Sequence, residues 1–177
     1  VAEGAEVAFA DRDGERGRRV AAEIAATGGK AHFFEVDVGT EAACTGFIKN
    51  ALDKCSTNVM IANAGYGFLA PIHETTEEQL DEIFAVNVKG TLYAMQAAAE
   101  VMLKQQPLAT GPASVARGHI IAISSGAARR GLPLYGTYAM TKAAQLSLVE
   151  AMRVELKPQG IYVSSVHPLS TVTEFFD

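Results

Sequence analysis

The chain has 177 residues, 49% of them hydrophobic and 20% charged, with a formal net charge of −5 at pH 7. These values predict one globular domain, residues 1–177, and exclude disordered and fibrous classes. The acidic balance argues against a nucleic-acid partner, and no apolar run approaches the roughly 20 residues of a membrane helix.

Cysteine and histidine usage indicates neither a metal site nor a redox pair. Cys44 and Cys55 lie eleven residues apart, and the four histidines are scattered along the chain. Neither arrangement matches a ligand spacing, so we predict no metal. Free thiols are typical of a reducing compartment, and we expect a cytoplasmic protein.

The first third of the chain alternates apolar strands with amphipathic helices. The pattern predicts strands at 5–10 and 30–36 and helices at 14–27 and 40–55. Asp11 and Arg12 follow the first strand directly, and Asp37 follows the second, with Val38 next to it.

A third strand, predicted to be buried at 58–62, runs into Asn63-Ala64-Gly65. Small residues are needed where backbone passes close beneath a ligand, although a plain strand-ending turn would also use them. Thr75 or Thr76, with Glu78 or Gln79, then indicates a capped helix over 76–105. Asn87 interrupts its apolar pattern, either as a satisfied buried amide or as a surface residue.

Residues 105–117 are rich in Pro, Gly, Ala and Ser and predict a flexible surface loop. An apolar strand at 119–125 follows and ends in Ser124 and Ser125. A helix at 136–157 and a last strand at 160–167, closed by Pro168, complete the alternation. This order predicts an α/β fold with a doubly wound parallel sheet, which places ligands at the carboxyl ends of its strands.

Tyr138 and Lys142 lie four residues apart on the predicted helix 136–157. They therefore project from one face, with a phenol beside an ammonium. A nearby positive charge favours the phenolate, so we expect a lowered pKa for Tyr138 and a general acid/base role. The same spacing also occurs on exposed helices without chemistry; the serine-ended strand and the Asn-Ala-Gly turn in the same chain favour the chemical interpretation.

Together, Asn63-Ala64-Gly65, Asn87 within VNVKG, Ser125 and YAMTK resemble the active-site set of the classical short-chain dehydrogenase/reductase family. The resemblance extends from Gly4 to Thr173 in the family's order. It implies a Rossmann-type sheet, an NAD(P)(H) cofactor, and interconversion of a secondary alcohol and a ketone.

The resemblance also implies a role for each catalytic residue. Tyr138 exchanges the hydroxyl proton, and Ser125 orients and stabilises the oxygen. Lys142 lowers the pKa of Tyr138 and holds the nicotinamide ribose, while Asn87 serves a proton relay.

The implied cofactor contacts begin at the first strand. Asp11 would accept hydrogen bonds from the adenosine ribose and repel a 2′-phosphate, which favours NAD(H). Arg12 is the type of residue that holds that phosphate, and the alternative is an acidic helix cap beginning Asp-Arg-Asp-Gly. The remaining expected cofactor contacts are Asp37, Val38, Asn63, Ala64, Gly65, Pro168 and Thr173. Leu169 stands where the family usually has glycine.

No T-G-x-x-x-G-x-G string, the family's phosphate-binding turn, occurs in the sequence. We therefore expect a Rossmann-type sheet truncated at both ends, without its first strand, its glycine turn and the C-terminal substrate segment. A non-catalytic cofactor-binding or scaffolding homologue is the alternative that this absence allows.

The predicted helices 76–105 and 136–157 carry apolar residues on more than one side, including Ala97-Ala98-Ala99. Such helices predict a homodimer or homotetramer formed through them, as the family resemblance also implies. The alternative is that segments outside the sequence cover the excess apolar surface.

Overall fold

The computed structural model describes residues 1–111 and 114–169. Its strands are β1 (Glu6–Asp11), β2 (Lys30–Glu35), β3 (Val59–Ala62), β4 (Leu108–Gly111), β5 (Ser114–Ala116), β6 (Gly118–Ile123) and β7 (Ile161–Val166). Its α-helices are α1 (Gly14–Ala26), α2 (Glu41–Leu52), α3 (Glu77–Phe84), α4 (Thr91–Lys104) and α5 (Gly136–Leu156). The predicted alternation of strands and helices is therefore confirmed, with outer boundaries that differ by at most three residues.

The parallel strands form two groups. β1 pairs with β2, with Asp11 opposite Glu35, while β6 lies between β3 and β7. In each group the strands run the same way, so their carboxyl ends share one edge. Asp11, Asp37, Gly65, Ser125 and Pro168 all lie at or just beyond such an end, as the sequence predicted.

Local signals in the sequence explain where the helices begin. Asp13 accepts a hydrogen bond from the Arg16 backbone and caps α1, and Thr40 caps α2 in the same way. Gly28 follows α1 with a φ of +79°, a conformation that glycine adopts without strain.

The core lies between the β3-β6-β7 group and helices α2, α4 and α5. Its fully buried side chains include Met95, Met102, Ile120, Val149 and Ile161. In β3, Met60 and Ala62 are buried whereas Val59 and Ile61 are more than half exposed. The prediction of a buried strand is thus right for one face of β3 only, because the pleat alternates its side chains.

The helix predicted over 76–105 is interrupted. Its start is confirmed, since Thr76 and Gln79 form a reciprocal capping box. Between α3 and α4, however, Ala85–Gly90 form a turn of π-helix that contains Asn87. Such wide turns are uncommon and occur frequently at functional sites.

The predicted loop 105–117 contains a β-hairpin instead, in which β4 and β5 pair antiparallel. Side chains join its base: the Gln105 amide donates to the carbonyls of Thr57 and Arg117, and the Arg117 guanidinium donates to the Gln105 carbonyl. These bonds satisfy backbone groups that a loop would expose to water.

Within the part of the chain that the structure describes, no helix combines the length and apolar character that crossing a membrane requires.

Candidate active site

The phenol of Tyr138 and the hydroxyl of Ser125 meet at the edge where β6 ends. Tyr138 lies in the first turn of α5 and is 7% exposed, and its side chain is hydrogen-bonded to Ser125. Ser125 follows β6 with an extended backbone, and its oxygen also accepts from the Ala127 N–H at 3.1 Å. The structure therefore places a proton-exchanging group beside a second hydroxyl.

Lys142 lies one turn further along α5, on the same face. Its Nζ lies 5.6 Å from the centre of the Tyr138 ring and donates to the Ile123 carbonyl at 2.9 Å. The residue is 3% exposed, and desolvation lowers its pKa from 10.5 to about 8. Ser124 adds a bond from its hydroxyl to the Lys142 carbonyl at 3.2 Å. The ammonium is thus held in a fixed place.

The pKa of Tyr138 is raised, which corrects the expected direction. Burial of the phenol raises it most, the hydrogen bond from Ser125 opposes this, and Tyr135 raises it further. Desolvation favours the neutral phenol, and the Lys142 ammonium is bonded to a carbonyl and faces the ring. Tyr138 is therefore protonated at neutral pH.

Of the two alternatives for Asn87, the buried amide with satisfied hydrogen bonds is the correct one, since the residue has no exposed surface. Its Oδ1 accepts from the Tyr66 N–H at 3.0 Å, and its Nδ2 donates to the Tyr66 carbonyl and to Thr141 Oγ1. The side chain thereby joins three elements: the π turn, the segment after β3, and α5.

Gly65 lies directly against this cluster. A Cβ at this position would come within 3.1 Å of Asn87 Oδ1 and 3.5 Å of Lys142 Nζ. A side chain here would press on both groups, so the expected need for a small residue is met at Gly65. Asn63 and Ala64, which precede it, are exposed.

The other predicted cofactor residues form a separate, open region. Asp11 and Arg12 are exposed, and an Asp11 oxygen accepts from the Asp13 N–H at 2.9 Å. Asp13 caps α1, so the stretch Asp-Arg-Asp-Gly does begin the helix with an acidic cap, and Asp11 bonds the backbone of the capping residue. Asp37 accepts from the Gly39 N–H at 2.9 Å, and the Val38 carbonyl accepts from the Cys44 thiol at 3.3 Å.

The segment after β7 closes the site beside Ser125. The Pro168 carbonyl accepts from the Gly126 N–H at 3.0 Å, and the side chain of Leu169 packs close to Gly126. His167 contacts the Ser125 carbonyl through Nδ1 at 3.1 Å. Thr173 lies outside the described residues.

The sequence pattern did not single out Thr141, Gln145, Tyr66 or His167, although all four contact the predicted set. Thr141 and Gln145 carried a signal, since two polar residues stand four apart on the buried face of α5. No sequence signal indicated Tyr66, because its contacts with Asn87 are made by its backbone.

Among the described residues no group of three or more His, Cys, Asp or Glu side chains could hold a metal. Both cysteines are free thiols, and Cys44 is buried. Its pKa is raised to about 11, chiefly by desolvation and also by the charge of Asp37.

This arrangement of fold and site agrees with the match to a protein family. The model of the short chain dehydrogenase family matches residues 1–177, and the chain belongs to this family.

Among its relatives, the chain is 40% identical to a sorbitol dehydrogenase of Cereibacter sphaeroides, over 95% of this chain and 61% of the relative. It is 34% identical to a cyclopentanol dehydrogenase of Comamonas testosteroni, over 94% and 63%. The chain thus spans about three fifths of the length of these curated relatives.

Solved structures give the same fold. A dehydrogenase/reductase from Sinorhizobium meliloti 1021 matches with a TM-score of 0.86 and 30% identity, over 99% of this chain and 66% of that one. A metagenomic short-chain oxidoreductase in complex with NADP matches with a TM-score of 0.84 and 30% identity, over 96% and 73%. The Rossmann-type sheet with flanking helices is therefore confirmed.

Proposed function

We propose that the protein is an NAD(P)-dependent oxidoreductase that interconverts a secondary alcohol and a ketone. One observation supports this above all others: a buried tyrosine, hydrogen-bonded to Ser125 and packed on Lys142, stands at the carboxyl edge of a parallel sheet. This is the edge where such folds bind their ligands.

Tyr138 is proposed as the general acid and base. Because its raised pKa keeps the phenol neutral, the resting site is prepared to donate a proton to the oxygen of a ketone. In the reverse direction the deprotonated form of Tyr138, the phenolate, would accept the proton of the alcohol. Ser125, which already bonds the phenol, would orient the same substrate oxygen and stabilise its charge.

Lys142 is proposed to hold the nicotinamide ribose. An ammonium has three N–H donors, and the Ile123 carbonyl accepts only one of them. The remaining donors suit ribose hydroxyls. Asn87 is proposed to serve the proton relay indirectly: its side chain is bonded within the protein, and it fixes the groups around Lys142.

A nicotinamide dinucleotide fits the groups along this edge, and when bound it supplies or accepts the hydride. The exposed Asp11 suits a ribose diol, which favours NAD(H), whereas Arg12 would suit a 2′-phosphate and leaves NADP(H) possible. Asp37 and Val38 are proposed to contact the adenine. Gly65, which lies against Asn87 and Lys142, is proposed with Asn63 and Ala64 to line the cofactor site. Pro168 and Thr173 are proposed to contact the nicotinamide side.

The substrate is proposed to be a small secondary alcohol or its ketone, as the names of the sorbitol and cyclopentanol dehydrogenases suggest. The test is turnover of purified protein with NAD⁺ or NADP⁺ and a panel of polyols, cyclic alcohols and linear secondary alcohols. Cofactor reduction with at least one of them is expected. Cofactor binding without turnover of any would instead favour the alternative, a non-catalytic homologue.

We further propose that the protein is cytoplasmic and forms a homodimer or homotetramer. The alanine run of α4 is already buried within the chain, Ala97 to Ala99 being at most 8% exposed, so it offers little to a partner. α5 retains an exposed stripe of small and apolar residues at helical spacing: Met140, Ala143, Ser147, Ala151 and Val154. Such a stripe permits close packing against its copy across a two-fold axis.

A further inference from the structure

One polar side chain in the core has no place in the proposed chemistry. Gln145 lies on α5, one turn after Thr141, and is 1% exposed. Its Nε2 donates to the Asn87 carbonyl at 2.6 Å and to Thr91 Oγ1 at 2.8 Å. Its Oε1 has no hydrogen-bond partner among the described residues.

The orientation of this amide is fixed by its partner. The Asn87 carbonyl can only accept hydrogen bonds, so the nitrogen of Gln145 must face it. A buried oxygen without a partner is costly, and an apolar side chain of similar size would fill the space without that cost. Packing alone therefore does not explain a glutamine here.

The π turn takes the usual α-helical donor away from the Asn87 carbonyl. In an α-helix the N–H of Thr91 would bond to it, but that N–H goes to the Val88 carbonyl instead. The Asn87 carbonyl accepts hydrogen bonds from Gln145 Nε2 and from the Thr91 hydroxyl, the latter at 2.8 Å. A side chain of α5 thus bonds the backbone of the π turn.

Asn87 is in this way held at two points by one face of α5. Thr141 accepts from its side chain, and Gln145 donates to its carbonyl. Asn87 in turn bonds both backbone groups of Tyr66, the residue after Gly65. A continuous set of hydrogen bonds therefore links the helix that carries Tyr138 and Lys142 to the turn after β3.

We propose that Gln145 is a positioning residue for the oxidoreductase reaction and acts through Asn87. It sets the separation between α5 and the Gly65-Tyr66 turn, and so between the proton-transfer groups and the surface proposed to carry the cofactor. This inference rests on the proposed function.

The test replaces Gln145 with Met, which has similar length and no donor. Misplacing reacting groups by about 1 Å can lower a rate about 100-fold, so we expect kcat to fall about 10- to 100-fold. The cofactor Kd should change less than about threefold, because Gln145 makes no proposed cofactor contact. Gln159→Met, at an exposed position, is the matched control and should retain wild-type kcat.

A double-mutant cycle separates positioning from general stabilisation. If Gln145 acts through Asn87, Gln145→Met should lower kcat much less in an Asn87→Ala background than alone. Equal losses in both backgrounds, or an unchanged kcat in the single variant, would overturn the proposal. Gln145→Asn, which keeps the amide but shortens its reach, replaces the Met variant if the latter does not fold. Failure of both to fold would assign the residue to folding and also overturn it.

Hydrogen exchange at Tyr66 provides a readout independent of turnover. The Tyr66 N–H donates to Asn87, so it should exchange faster in Gln145→Met than in the wild type. An unchanged exchange rate of the Tyr66 N–H would contradict the proposed link from Gln145 to Tyr66, even if the wild type is active. Absence of wild-type turnover on the whole panel would instead contradict the proposed function, while the exchange result would still test the link.

Discussion

The two ends of the proposed site are built differently. At the reacting end Asn87, Tyr138 and Lys142 are at most 7% exposed, and their partners come from distant parts of the chain. At the end proposed for the adenosine, the carboxylates of Asp11 and Asp37 accept from backbone N–H groups two residues away. The structure of the reacting end therefore depends on the fold as a whole, whereas that of the adenosine end depends on short local segments of the chain.

This difference predicts how each end responds to substitution. A buried polar group has several partners, and its removal leaves them unsatisfied. An exposed carboxylate can be replaced with little effect on stability. Changes at the reacting end should thus alter turnover or folding strongly, and changes at the open end should alter only the choice of cofactor.

The largest effect is expected for Tyr138→Phe. It removes the proton-transfer group and keeps the ring in its cluster, so kcat should fall about 10²–10⁴-fold while NAD(H) binding stays within a few-fold. Steady-state kinetics and fluorescence titration with NADH measure the two quantities. Substantial residual turnover would remove Tyr138 from the acid/base role.

Lys142→Met should inactivate the protein and also stabilise it. The pKa of Lys142 is lowered to about 8, so burial of its ammonium opposes folding at neutral pH. Without bound cofactor we expect a gain of roughly 1–3 kcal/mol in the free energy of unfolding at pH 7. Lys54→Met, at an exposed position, should leave stability nearly unchanged.

The sign of the pH dependence follows from the same pKa. Between about 8 and 10.5 the unfolded chain binds more protons at this lysine than the folded chain does. The contribution of Lys142 to wild-type stability should therefore rise with pH across that window and be absent in Lys142→Met. Denaturant unfolding at pH 7 and pH 9.5 checks this, and a variant less stable than wild type at pH 7 would contradict it.

An intermediate effect is expected at the open end. Asp11→Ala removes a carboxylate that would repel a 2′-phosphate and leaves Arg12 to engage it. One charge-assisted hydrogen bond contributes about 1.5–3 kcal/mol, so the ratio of kcat/KM for NADP(H) over NAD(H) should rise about tenfold or more. An unchanged ratio would show that Asp11 does not face the ribose.

The smallest effect on chemistry is expected from the exposed stripe of α5. Light scattering of the wild type at micromolar concentration should give a dimer or tetramer mass, and Ala151→Glu should shift it toward the monomer. Glu155→Ala, off the stripe, is the control. A monomeric wild type would refute association through α5.

The sequence predicted the strand ends and helix starts well, and the packing of the reacting end in part. Strand ends and helix caps depend on neighbouring residues, and so Asp11, Asp37 and Ser125 were placed correctly. The π turn was not predicted, because its contacts, such as that with Gln145, come from far along the chain. The direction of the Tyr138 pKa shift was wrong for a similar reason.

The raised pKa of Tyr138 results mainly from burial, and the apolar cluster that contains Tyr138 is packed partly by Tyr66 and Phe68 from another loop. The hairpin of β4 and β5 was missed because its composition is that of a loop, whereas backbone pairing decides its structure. Local pattern thus identifies which residues can react, and remote packing sets their protonation.

The environment of Cys44 has a practical consequence for labelling the protein. Its thiol is directed at the carbonyls of Val38 and Gly90 and is 1% exposed, and a thiol with a pKa near 11 forms very little thiolate at neutral pH. Cys55 is partly exposed. A maleimide dye should therefore attach at Cys55 alone, which provides a single spectroscopic reporter in the unmodified sequence.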